Sequence, residues 1–119
     1  MKLTIPGNVP SQKNGKQISV NRSTGQRFIR SSTAVINWKF VAIHTLIEQF
    51  RDCKIVDYPI SITLVFYFDN KRRHDLDNAA AGVMDALVKA EVIGDDNVNF
   101  VDCLTLQYGG YDKANPRAE

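Results

Sequence analysis

The sequence predicts an α+β protein built on one mixed β-sheet with two main helices. Three observations carry that expectation. Residues Ile60 to Phe68 alternate without a fault, with Ile60, Ile62, Leu64, Phe66 and Phe68 on one face and Ser61, Thr63, Val65 and Tyr67 on the other. This is the period of a strand with one buried face. From Ala34 to about Arg51, the residues Val35, Trp38, Ala42, Leu46 and Phe50 recur at helical intervals, flanked by Ile43 and Ile47. A second helical pattern from Leu76 to Ala90 sets Leu76, Ala80, Val83, Met84 and Leu87 on one side, with Glu91 at its end.

The remaining elements follow in order. Lys2 to Ile5 reads as a short first strand closed by Pro6-Gly7, and Pro10 follows. Residues 11–25 are polar, with Asn14, Gly15, Asn21 and Gly25, and form a basic loop or a loose hairpin in which Gln26 to Arg30 supplies a strand. Ser32-Thr33 offers an N-cap to the first helix. Trp38 falls on the apolar stripe, which makes it a core residue rather than a base-stacking platform. His44 sits among polar neighbours as an exposed helical histidine. Asp57-Tyr58-Pro59 breaks the chain before the alternating strand, and Gly94-Asp95-Asp96-Asn97 turns it after the second helix. Val98 to Tyr108 reads as a last strand or pair of strands ended by Gly109-Gly110, and residues 112–119 as a flexible tail. One domain over residues 1–119 is expected.

Composition bounds the function. No apolar run approaches the length of a membrane span, and Met1 to Pro6 has no signal-peptide core, so a cytoplasmic protein with no membrane partner is expected. Cys53 and Cys103 are isolated, which argues against a zinc site or a disulfide framework and reads as two buried thiols. The charges are unevenly placed. Before Glu48 there are seven cations (Lys2, Lys13, Lys16, Arg22, Arg27, Arg30, Lys39) and no acid, and all 13 acids share the rest of the chain with eight cations. Such asymmetry suits a polyanion-binding surface beside an acidic cluster; a solvated basic face without a partner is the plainer reading.

The stretch from Asp69 to Asn78 joins the alternating strand to the second helix. It sets Lys71, Arg72 and Arg73 beside Asp75 and Asp77, and Asp95-Asp96 answers it beyond the helix. Carboxylate oxygens are the ligands Mg2+ prefers, with positions left for water and phosphate oxygens. If the backbone is still extended at Asp75 and Asp77, both point to one side; if the helix has begun, they diverge. Asp96 or Asp95 completes the site if the loop after the helix closes on it. Lys71, Arg72 and Arg73 would neutralise adjoining phosphates, joined by Lys13, Lys16, Arg22, Arg27 and Arg30 of the basic loop. Each element also has an ordinary reading: an aspartate N-cap, an Asp-Asp-Asn turn, a solvated hairpin end. An EF-hand is excluded, because a loop starting at Asp75 would place Ala79, Ala80 and Ala86 where a ligand, a glycine and the closing glutamate are required.

Arg72-Arg73-His74-Asp75-Leu76-Asp77-Asn78, then Met84-Asp85-Ala86-Leu87, then Gly94-Asp95-Asp96 with Val98, resemble at matching spacings the signature of the RusA family of Holliday junction resolvases. The match covers about Phe66 to Val101. The resemblance implies a small α+β homodimer that binds four-way DNA junctions and makes paired nicks with Mg2+ or Mn2+, in DNA recombination and repair; members of that family are frequent in prophages, and host or phage use stays open. It places the catalytic aspartates on Asp75, Asp77 and Asp96, with Asp95 beside them as a further metal ligand, and matches Asp85 to another family position. One departure stands out: the family lysine four residues after the second aspartate is Ala81 here. Either another cation (Lys13, Lys16 or Lys71) takes over its role, or the protein binds branched DNA and cuts it weakly.

Overall fold

The computed structural model describes every residue except 11–15, 21, 32, 52, 54 and 56, and gives the backbone alone for 16–20 and 28–31. Its elements are β1 (Ile5–Pro6), β2 (Lys16–Val20), β3 (Arg27–Ser31), α1 (Thr33–Phe50), β4 (Ile60–Phe68), α2 (Leu76–Lys89), β5 (Val101–Tyr111) and β6 (Arg117–Ala118). A four-stranded sheet runs β1-β6-β4-β5, and β2 pairs with β3 in a separate antiparallel hairpin. β4 is parallel to β5 and antiparallel to β6, so the sheet is mixed and the α+β expectation holds.

The core follows from the two periodicities. On β4, Leu64, Phe66 and Phe68 are buried, whereas Ser61 and Thr63 on the opposite face are exposed. α1 buries Val35, Trp38, Ala42, Leu46 and Phe50, the five residues its spacing singles out. α2 adds Ala79, Ala80, Val83, Met84, Ala86 and Leu87 to the same cluster. Both helices therefore cover one face of the sheet. Trp38 is a core residue, as its position on the stripe predicts; its Nε1 has no hydrogen-bond partner among the described residues. Lys39 of α1 reaches Asp85 of α2 at 2.8 Å, and Lys89 reaches the same carboxylate at 3.3 Å, so Asp85 fastens the two helices. Burial works against the Asp85 carboxylate, but the hydrogen bonds and charges of Lys39 and Lys89 outweigh it and hold its pKa below the ordinary 3.8. No helix among the described residues is long and apolar enough to cross a membrane.

Three expectations are corrected. The tail does not lie loose: Arg117 and Ala118 form β6 between β1 and β4, and Ala118 is buried. Arg117 stacks on Tyr67 at 3.9 Å and pairs with Asp112 at 2.8 Å and Glu119 at 2.6 Å. A charged, glycine-preceded segment gives no apolar run to read, and its order comes from these contacts. The last strand does not stop at Gly109-Gly110 but runs through them to Tyr111, because a bulge absorbs the extra residue. Finally, Cys53 and Cys103 are both exposed rather than buried; Cys103 lies on the edge strand, opposite Ser61.

Candidate functional site

Because β4 and β5 are parallel, their carboxyl ends, Phe68 and Tyr111, lie side by side, and the 69–75 segment leaves from that end toward α2. Open sheets with parallel strands place ligands at this end. Asn8 Oδ1 accepts the Asp69 N–H at 3.2 Å, which anchors the start of the segment. Asn70 organises its middle. The Asn70 amide nitrogen donates to Asp69 Oδ1 at 2.8 Å, and its Oδ1 accepts the Arg72 N–H at 3.0 Å and His74 Nε2 at 2.9 Å. An acceptor there requires the proton on Nε2 of His74. The imidazole also lies flat on Phe68, centroids 3.8 Å apart.

Asp75 follows directly and is the N-cap residue of α2, on extended backbone (φ −98°, ψ 117°), yet its side chain makes no capping hydrogen bond. The carboxylate instead accepts a long 3.4 Å bond from the Asn78 amide. Asp77 already sits in the first turn, where its Oδ1 accepts the Asn78 N–H at 2.9 Å. The helix thus begins between the two aspartates, and both carboxylates accept a hydrogen bond from Asn78, Asp77 from its backbone and Asp75 from its side chain. Both are exposed.

Asp95 and Asp96 lie at the other end of α2. Gly94 N–H donates to the Tyr58 hydroxyl at 3.3 Å just before β4, and Phe100 C=O accepts the Ile60 N–H at 2.8 Å, so the loop between them is fixed at the amino end of β4. Fourteen residues of helix separate this loop from Asp75, about 21 Å at the helical rise. Asp95 is a turn residue: it accepts the Asp96 N–H at 2.8 Å and the Asn97 amide at 3.2 Å. The Asp96 carboxylate is exposed and has no hydrogen-bond partner among the described residues. Within the chain Asp75 and Asp77 are thus at one end of α2 and Asp95 and Asp96 at the other. Among the described residues no three His, Cys, Asp or Glu side chains gather as a metal-holding group.

The cations divide similarly. Lys71, Arg72 and Arg73 are exposed beside Asp75, with no carboxylate in ion-pairing range among the described residues. Arg22 and Arg27 are exposed in the β2–β3 hairpin. Lys16 and Arg30 are placed on its strands by backbone register, while Lys13 and the side chains of Lys16 and Arg30 lie outside the described residues. Two aromatic side chains at this end belong to no sequence motif of the site. Tyr108 is 53% and Tyr111 45% exposed, and Lys71 Nζ stands 5.2 Å over the Tyr111 ring. The signal for them was Gly109-Gly110 inside a strand pattern, which marks a bulge as readily as a stop.

The family model described as endodeoxyribonuclease RusA matches residues 6–119. The chain belongs to the RusA family. A curated relative, the crossover junction endodeoxyribonuclease RusA of Aquifex aeolicus, is 39% identical over 66 residues, which cover 56% of this chain and 52% of that protein. The aligned part thus spans about half the length of the relative. Against the RusA pattern, Ala81 is exposed one helical turn beyond Asp77, so the side chain missing from the family position would project into solvent on the face of Asp77. Asp85, another family position, holds α1 to α2 here.

Proposed function

We propose that this protein is a metal-dependent, structure-specific endodeoxyribonuclease that resolves four-way (Holliday) DNA junctions by paired nicks, in recombination and repair. The observation that carries the reading is the RusA match over residues 6–119, with Asp75 and Asp77 exposed and without an ion pair among the described residues. Asp75, Asp77 and Asp96 are the proposed catalytic carboxylates, with Asp95 in support. Such oxygen donors fit Mg2+ or Mn2+, and Asp75 and Asp77 leave room for water and a phosphate oxygen. Held by Asp75 and Asp77, a divalent ion would supply an activated water and would offset charge on the scissile phosphate. The chain's own part is to position the phosphodiester: Lys71, Arg72 and Arg73 neutralise phosphates next to the acids, and Arg22, Arg27, Arg30, Lys13 and Lys16 extend the contact.

A homodimer belongs to the same proposal. A two-fold enzyme sets two identical sites on opposite strands of a nearly two-fold junction. Asp96, remote from Asp75 in its own protomer, would meet an Asp75–Asp77 pair from a second copy. α1 supports the idea with a second apolar stripe facing solvent, Ile36, Phe40 and Ile47, which are 45%, 65% and 46% exposed. A cytoplasmic location and a prophage setting complete the reading.

One observation favours a second reading, a branched-DNA-binding protein of the same fold that cuts weakly: Ala81 in place of the family lysine. Nicking of a synthetic mobile four-way junction with Mg2+ or Mn2+, wild type against Asp77→Asn, separates them. Symmetric nicks lost in a variant that still binds support the resolvase; tight binding by both with no nicks from either leaves the binder.

A further inference from the structure

We infer that Tyr108 and Tyr111 of β5 form a stacking platform for an unstacked base of branched DNA, with Lys71 beside it to take the attached phosphate. The inference rests on the DNA-junction reading and adds to it the element that recognises a base rather than backbone charge.

Two side chains three apart on a regular strand point to opposite faces. Here they do not. Tyr108 registers with Phe66 and Tyr111 with Phe68, because the ladder shifts by one residue between Phe66 and Tyr67. Phe66 and Phe68 share the helix-covered face, so both tyrosines come to that face as well. The bulge is built in: a Cβ on Gly109 would stand 2.6 Å from the Tyr67 ring and 2.8 Å from Val65, and Gly110 has φ +137°. Bulges re-aim side chains in this manner near active sites.

The face at this point is uncovered, since Tyr108 and Tyr111 keep about half their surface. The rings continue inward: Tyr108 stacks toward Phe68 at 6.2 Å and Phe68 on His74 at 3.8 Å, and His74 precedes Asp75 in the chain. The platform is thus an open end of a ring series that leads to the proposed cleavage site. Lys71, over the Tyr111 ring, and Arg72 and Arg73, which have no ion-pair partner among the described residues, give it the charge of a nucleotide partner. Base–aromatic stacking tolerates any base, whereas a paired duplex offers no free π-face in the strand interior. The surface is therefore suited to the branch point, where bases leave the stack.

The test uses the full chain and a four-way junction carrying 5-iododeoxyuridine at the branch point, with Ca2+ in place of Mg2+. Ultraviolet cross-linking is expected to map to the β5 peptide holding Tyr108 and Tyr111. Tyr108→Leu and Tyr111→Leu are each expected to weaken junction binding roughly tenfold, with linear-duplex binding unchanged and Tyr→Phe restoring it. Cross-links confined to the β2–β3 hairpin, or leucine variants that bind the junction like wild type, overturn the inference and leave the resolvase reading standing. A wild type that binds junction no better than duplex overturns both. If the leucine variants lose binding by falling from dimer to monomer in sedimentation, the tyrosines belong to a protein interface and the inference is wrong.

Discussion

The imidazole of His74 lies on the ring of Phe68, 3.8 Å between centroids and 3° from parallel. That stack ties the last residue of β4 to the residue before Asp75. The Asn70 bond to Nε2 fixes the ring's rotation, so the position of Asp75 is set from the buried sheet rather than from a free loop.

His74 is therefore expected to act as a positioning residue. His74→Phe keeps the stack and loses the bond to Asn70; His74→Ala loses both. In junction nicking with Mg2+ the alanine variant should turn over about tenfold more slowly, since misplacement near 1 Å is costly, while the phenylalanine variant should be intermediate. Junction affinity should change less than twofold in each. Equal loss of affinity and turnover would show that His74 holds DNA or the fold instead.

Ala81 offers the sharpest comparison with the family pattern. It is exposed on α2, one turn from Asp77, so a lysine fits there without repacking. Ala81→Lys is expected to raise the nicking rate by about a hundredfold, the low end for a positioned proton-transfer or charge-stabilising group. An unchanged rate would mean that another cation, Lys71 first among the described ones, already fills the role.

Much of this was legible in the sequence because the signals are periodic. The stripe of α1 predicts its buried residues one by one, and the alternation of β4 predicts the core face, of which Leu64, Phe66 and Phe68 are buried while Ile60 and Ile62 at its open start are only partly so. The acids and cations of 69–78 were legible as chemistry, but not their separation from Asp95 and Asp96: that depends on α2 running back along β4, a tertiary fact. β6 was invisible for a related reason. Two residues of strand carry no period, and their order comes from Arg117 on Tyr67 and from pairing to β1 and β4. Gly109-Gly110 was ambiguous locally, and the register of β4 against β5 resolves it.

Asp85 gives a pH-dependent prediction. Lys39 and Lys89 keep its carboxylate below the ordinary 3.8 in the folded protein. A lowered folded pKa stabilises the fold above the unfolded value and the benefit is lost as pH falls through the folded value. Asp85→Asn should therefore cost about 0.5–1 kcal/mol at neutral pH, a value kept small by partial exposure. The gap from wild type should close on acidification below about pH 3.8. Urea unfolding at pH 7 and pH 3 reads this directly. A gap that stays constant between the two would show that side-chain shape, rather than charge, joins α1 to α2.

Gly109 tests how tightly the bulge is held. An added methyl would meet Tyr67 at 2.6 Å and Val65 at 2.8 Å. The Tyr67 ring cannot swing away freely, because Arg117 covers it at 3.9 Å and is itself fixed by Asp112 and Glu119. Gly109→Ala is expected to destabilise by about 1–3 kcal/mol, the usual cost of forcing atoms into a packed site, and to lower the urea midpoint without changing the slope. Relief should come by removing the obstruction: adding Tyr67→Ala to Gly109→Ala should cost less than the sum of the two single variants, because the methyl then occupies the space the ring has left. Additive losses would mean that β5 shifts as a strand to accept the methyl, and that the bulge is set by Gly110, at φ +137°, rather than by the close approach of Gly109 to Tyr67.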